Sequence, residues 1–249
     1  MPRPSLRLAA LALALPLAGV APAQAQGFSP DQRAEILSIL RDALREDPTI
    51  LRDALAGLEA AEQRDRTAAQ RAAIERNVEA LFRDAADPVK GNPRGDVTIV
   101  EFFDARCGYC KQLHPTMEAL IRRDSNVRVV MKDLPILGPN SLLASRALLA
   151  AQRQGRYAPL YDALLALRTE PTEAVLRQQA ERIGLDWARL RREMDDPAIG
   201  RRIEGNLQLA QSLGIEGTPA LVIGGTLVPG AVDLPTLERL VAEARAARR

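Results

Sequence analysis

A run of β-branched and aromatic residues, Val97-Thr98-Ile99-Val100-Glu101-Phe102-Phe103, leads through a short loop to Cys107-Gly108-Tyr109-Cys110. Helical apolar spacing then continues to about Arg123. This strand, cysteine pair and helix constrain the fold more than any other part of the chain. A buried strand needs a sheet to lie in. A cysteine at a helix N-terminus faces unpaired backbone N–H groups and the positive end of the helix dipole. Both favour thiolate over thiol, and such sites reach pKa values of about 3.5–7.5 where a free cysteine has about 8.5. Cys107, nearest the helix end, is the expected nucleophile. Cys110, one turn further in, is expected to be more buried and to resolve a mixed disulfide.

These are the only 2 cysteines in 249 residues, so a scaffold of several disulfides is excluded. Two other uses of the pair stand beside the redox one. A closed zinc site needs four ligands; with His114 the only histidine, carboxylates would have to complete it. A copper site could use both thiolates together with Met117. Two further features favour redox chemistry. Glu101 lies inside the apolar strand, and alternation places it on the face of Ile99 and Phe103. Buried beneath the cysteines it would take the proton of Cys110; on an edge strand it would be a solvated charge. Thr218-Pro219 directly precedes another apolar strand, Ala220 to Ile223. As a cis bond beside the cysteines it would open the Thr218 backbone to an extended substrate; as a trans bond it would be an ordinary turn. Tyr109, between the cysteines, is a candidate for touching substrate. His114 and Trp187 read as packing or surface residues, and the Arg201-Arg202 pair as a solvated helix face.

The rest of the chain is read in three parts. Arg3 and Arg7 precede an apolar run from Leu8 to Leu17, and Ala23-Gln24-Ala25 fits a cleavage site, so residues 1–25 are expected to be a secretory signal peptide. The run is short for a membrane span, which takes about 20 apolar residues. Export would put the cysteines where a disulfide persists, in the periplasm. The two leader arginines account for the formal net charge of +2. The remainder balances its charges, which argues against a nucleic-acid partner drawn in by bulk charge.

Residues 26–85 are expected to form a helical arm and linker. Ser29-Pro30-Asp31-Gln32 is a capping box with proline at the first helical position. Ile36, Leu37, Leu40 and Leu44 follow at helical spacing, and Asp47-Pro48 opens a second stripe of Leu51, Leu55 and Leu58. From Glu59 to Arg76 the chain is Ala-rich and charged, a solvated helix. This part has too little core to stand alone, so self-association is the simplest way to bury its leucines. Turn residues at Asp87-Pro88 and Gly91 to Gly95 mark a boundary, and residues 86–249 are expected to be the catalytic domain. Its order is strand, helix, strand (Val127 to Met131), a helical block over about 140–213, a hairpin across Gly224-Gly225, and a last helix. That is the order of an α/β, thioredoxin-like fold with a helical insertion, preceded by an all-helical N-terminal arm.

The stretches VEFFDARCGYC, KDLPILGP and EGTPALVIGG resemble the DsbA-like branch of the thioredoxin superfamily over about residues 95–245. The resemblance implies a buried acid at Glu101, a nucleophile at Cys107, a resolving thiol at Cys110, and a cis-proline loop at Thr218 and Pro219. The tetrapeptide CGYC is similar to that of DsbC-type isomerases, whereas DsbA oxidants usually carry CPHC. The segment SPDQRAEI with DPTILRDAL resembles the oligomerisation arm of ScsC-type suppressor-of-copper-sensitivity proteins. It implies a homo-oligomer, with a trimer implied by that family and a dimer equally reasonable physically. The expected function is a periplasmic thiol–disulfide oxidoreductase, an isomerase or reductase. It needs no cofactor beyond the redox-active disulfide Cys107–Cys110 and no metal. Its partners are protein substrates with disulfides or thiols and a membrane redox partner of unknown identity, with no nucleic acid. A monomeric dithiol oxidase and a copper-binding tolerance protein are the alternatives.

Overall fold

The computed structural model describes residues 28–247, which divide into two units between Glu59 and Ala60. The expected signal peptide lies outside the described residues.

In the first unit α1 (Pro30–Glu46) starts at the expected capping box. The Ser29 amide donates to Gln32 Oε1 at 2.9 Å, and the Gln32 amide donates to Ser29 Oγ at 3.2 Å. Asp47 ends α1, and its carboxylate accepts the Thr49 amide at 2.9 Å at the start of α2 (Thr49–Arg76). No residue of α1 is buried, and its apolar stripe stands open to solvent.

The second unit is a five-stranded mixed sheet with helices on both faces. Its strands are β1 (Val89–Gly91), β2 (Val97–Phe103), β3 (Val127–Asp133), β4 (Ala220–Ile223) and β5 (Thr226–Pro229), in the order β1-β3-β2-β4-β5. β2 and β3 run parallel, joined by α3 (Gly108–Arg123); every other pair is antiparallel. Parallel neighbours need such a crossover, and the cysteine pair sits where it begins. β2 is central and loses both faces to packing. Val97, Ile99 and Phe103 enter one core with Leu113, Met117 and Leu120 of α3; Val100 and Phe102 enter a second core on the opposite face.

The helical block resolves into α4 (Pro139–Gln152), α5 (Tyr157–Leu165), α6 (Glu173–Arg182), α7 (Trp187–Met194) and α8 (Pro197–Ser212). The breaks fall at Gly155, Pro171, Gly184 and Pro197, as the sequence suggests. The chain closes with α9 (Leu234–Ala246). Gly224 and Gly225 both take positive φ, 54° and 86°, the backbone of a tight hairpin turn. A Cβ at Gly224 would lie 2.6 Å from that of Ala244, so the turn also needs glycine for space.

Three features differ from the sequence reading. The division between units falls before Ala60, not at the turn-rich break near residues 87–95. Ala73, Ile74 and Leu81 pack into the second core with Val100, Phe102 and Val130, so the chain joins this unit well before the break. Part of that break is itself a strand, β1, paired with β3. Arg202 is no solvated charge. It bonds Asp87 at 2.6 Å and Asp84 at 3.1 Å, and Asp87 in turn pairs with the buried Lys132.

Candidate active site

Cys107 occupies the N-cap position of α3, and its own amide donates to the Asp104 carbonyl at 3.0 Å. Its thiol points at the Thr218 carbonyl, 3.1 Å away. The Thr218–Pro219 bond is cis. The loop between α8 and β4 therefore brings Thr218 against a cysteine 111 residues earlier in the chain. Cys110 lies one turn into α3 and is completely buried, while Tyr109 between them is 66 % exposed. Both cysteines are free thiols.

The two thiols have opposite electrostatics. The hydrogen bond from Cys110 is the largest influence on Cys107 and lowers it to about 5; desolvation works against this, and the first α3 amides, of Tyr109 and Cys110, add to the lowering. Cys110 moves the opposite way, far above an ordinary thiol, through that same bond and through burial. The surroundings thus favour the thiolate form at Cys107 and the protonated thiol at Cys110.

Glu101 is 1 % exposed and shares the face of Ile99 and Phe103, which removes the solvated-edge reading. Its Oε1 accepts the Tyr161 hydroxyl at 3.0 Å, and its Oε2 is buried with no partner among the described residues. Burial pushes this carboxyl up to about 7, against the Tyr161 hydrogen bond and the positive charge of Lys90, which hold it down. Lys90 of β1 is buried, with its ammonium 4.7 Å from the centre of the Tyr161 ring. It bonds Glu118 at 2.6 Å and also Asp162, whose Oδ1 lies 2.9 Å from His114 Nε2. His114, Glu118 and Asp162 are close enough to group around a cation, each offering an atom within 4.8 Å of the others. The Lys90 ammonium already supplies positive charge to that group.

Asp104 is a second buried carboxylate, and its bonds tie two loops together. Oδ1 accepts the Arg106 amide and the Ser141 hydroxyl, each at 2.8 Å. Oδ2 accepts the amides of Ile136 and Leu137 at 2.9 Å and 3.1 Å. The loop after β3 is thereby fixed beside the cysteine loop. Arg106 strengthens the join by donating to the Leu137 carbonyl and pairing with Glu170.

All six sequence candidates meet in one region: Cys107, Cys110 and Tyr109 at the start of α3, Thr218 and Pro219 against them, and Glu101 on the sheet below. Sequence reading did not single out Asp104, Lys90 as a neighbour of Glu101, or Tyr161. A polar residue ending an apolar strand three places before Cys107 was one available signal. Two tyrosines four apart in an otherwise apolar segment, Tyr157 and Tyr161, were another.

A family model described as the DSBA-like thioredoxin domain matches residues 98–242, and one for the copper resistance protein ScsC N-terminal domain matches residues 32–64. A thioredoxin-like oxidoreductase from Silicibacter pomeroyi is 42% identical, covering 68% of this chain and 97% of its own, with a TM-score of 0.66. A linker-deletion mutant of Proteus mirabilis ScsC is 30% identical over 90% of this chain and 100% of its own, with a TM-score of 0.67. The Na(+)/H(+) antiporter NhaA 3 of Salinispora tropica is 33% identical over 165 residues, 66% of this chain but 25% of its own length. The chain thus spans about a quarter of the curated relatives it matches first.

Proposed function

We propose, of a chain that belongs to the DSBA-like thioredoxin domain family, that it exchanges protein disulfides through Cys107 and Cys110, in the periplasm, as an oligomeric isomerase or reductase. The observation that carries the reading is the placement of the two thiols: Cys107 stands at the N-cap of α3 with its sulfur 3.1 Å from the Thr218 carbonyl, and Cys110 lies one turn in and buried. The Cys107 thiolate attacks a substrate disulfide, and one substrate sulfur leaves with the electron pair of the broken bond. Cys110 then loses its proton to Glu101 and attacks Cys107 Sγ. The second substrate sulfur leaves, so the substrate gains two thiols and the enzyme holds the Cys107–Cys110 disulfide. The reverse sequence oxidises a dithiol substrate. The Thr218 carbonyl beside the Cys107 sulfur supports docking of an extended peptide there, and exposed Tyr109 is placed to touch it. No cofactor is needed beyond the dithiol pair.

The exposed leucines and isoleucines of residues 28–59 support self-association of that segment, and the match of residues 32–64 to an ScsC N-terminal domain supports the same assignment. Several Cys107 sites in one assembly favour reshuffling of a bound misfolded client. A copper-binding role has one specific support, the copper-resistance description of that N-terminal family. Insulin reduction and scrambled-ribonuclease refolding, with mass in solution, test the reading. Isomerase activity from an oligomer is expected. Tight stoichiometric Cu(I) binding with neither activity would replace it with the copper reading, and an active monomer that only oxidises dithiols would make it an oxidase.

A further inference from the structure

Two carboxylates of the sheet lie under α5, and each receives one tyrosine of that helix. Tyr157 donates to Asp133 Oδ2 at 2.8 Å, and Tyr161 donates to Glu101 Oε1 at 3.0 Å. In each carboxylate the second oxygen is buried without a partner among the described residues. Buried polar atoms are normally paired, and an exception calls for a role. Glu101 has a candidate one: it lies on the sheet face whose core includes Cys110 of α3, and its charge raises the Cys110 thiol.

Resting on the disulfide-exchange reading, we propose that Tyr161 is a positioning residue for proton transfer. Its hydroxyl occupies Oε1 of Glu101, leaves Oε2 open to receive the Cys110 proton, and stabilises the ionised carboxylate. The ring is held for this task from several sides. It packs edge-on against Phe103 with centroids 4.8 Å apart, stacks on Tyr157 at 6.4 Å, and carries the Lys90 ammonium on its face. The charged and titratable groups around Glu101 are Tyr157 and Tyr161 from α5, Lys90 from β1, and His114, Glu118 and Cys110 from α3. The strand neighbours of Glu101, Met131 and Leu221, carry none. Tyr161 is the one group donating a hydrogen bond to the carboxylate, among the described residues.

The balance of the step fixes the sign of the test. Glu101 must be ionised to accept the proton, so the resolving step rises with pH around the titration of Glu101. A donor to the charged form lowers that midpoint, and removing the donor raises it. Tyr161→Phe keeps the ring and deletes the hydroxyl. In single-turnover reaction with a peptide disulfide, the first release, from attack by Cys107, should stay within about twofold of the parent. The second release, from resolution by Cys110, should slow at neutral pH, with its midpoint raised by about 1–2 pH units, the size expected for a hydrogen bond to a charged group. In a Glu101→Gln background the same change should add nothing. Site-specific 3-fluorotyrosine at position 161, a stronger donor of nearly the same shape, should move the midpoint down, and it serves as the test should the phenylalanine variant not fold. A second step whose pH profile ignores both changes, or equal slowing of both steps, overturns the role of Tyr161. A parent chain that releases no peptide at all overturns the disulfide-exchange reading itself.

Discussion

The two units of this chain use the same residue types to opposite ends. In residues 28–59, Ile39 is 62 % exposed, Leu58 57 % and Leu51 54 %; in the second unit Leu113, Leu148 and Leu160 are at most 1 % exposed. Both segments show helical periodicity, so amphipathicity alone does not separate them. The difference lies in what completes the apolar face. In the second unit a central strand offers two faces and the helices cover both. In the first, capped helices present a stripe with no sheet to lie on. A stripe of that kind leaves apolar surface open, the surface on which the proposed self-association rests. The closed core is a scaffold that can hold two thiols apart in pKa. On the proposed function, the chemistry belongs to the second unit and assembly to the first.

The largest expected effect tests the first half of that division. Cys107→Ser should abolish exchange by the full chain, whereas Cys110→Ser should retain attack and accumulate mixed disulfides visible by mass spectrometry. Faster alkylation of Cys110 than of Cys107 at mildly acidic pH would reverse the two roles. Truncation sharpens the division next. A chain beginning near Ala60 should fold as a monomer by light scattering and exchange disulfides, but lose isomerase activity. A chain beginning near residue 86 loses Ile74 and Leu81 from the second core and should melt well below it, because each large buried side chain is worth about 2–5 kcal/mol.

Smaller effects come from single leucines. Leu148→Ala should cost about 2–5 kcal/mol in denaturant melts, as for other buried leucines. Leu51→Ala should cost the isolated chain no more than about 0.5 kcal/mol, yet weaken association in dilution experiments. Equal losses at both positions would mean that the stripe is part of a core within one chain. The mildest probe is pH. Cys107 is lowered to about 5, so its alkylation rate should rise with a midpoint near that value and be flat at neutrality. Below the midpoint the thiol regains its proton and labelling stops. A midpoint near that of a free cysteine would remove the account in which Cys110 and the first α3 amides hold Cys107 as the thiolate.

Much of this was legible before any coordinates. Val97 to Phe103 reads as a buried strand because β-branched and aromatic residues crowd together, and the cysteine motif follows at the point where a helix begins. Breaks at Gly155, Pro171, Gly184 and Pro197 are local chemistry, since each lies at a glycine or proline between helices or at the start of one. Other features depend on placement that no local pattern encodes. Lys90 sits amid Gly, Asn and Pro, which read as a turn; only pairing with β3 makes the segment a strand and carries Lys90 beneath α5. Tyr161 reaches Glu101 across 60 positions. Arg202 looks like a surface charge until Asp84 and Asp87 are brought to it. Long-range polar pairs leave little trace in periodicity, because one buried bond looks the same in sequence as one solvated residue.

Asp104 has a consequence for how such a site diversifies. It grips the loop after β3 by the backbone amides of Ile136 and Leu137, not by their side chains. The position of that loop is therefore independent of what its two exposed residues are. Any residue with an N–H can stand there, and proline alone is barred. Mutation can rewrite the surface beside the nucleophile while the geometry of the cysteines stays as it was. The molecule thus separates side chains that can change without moving this loop from the backbone contacts that hold it in place.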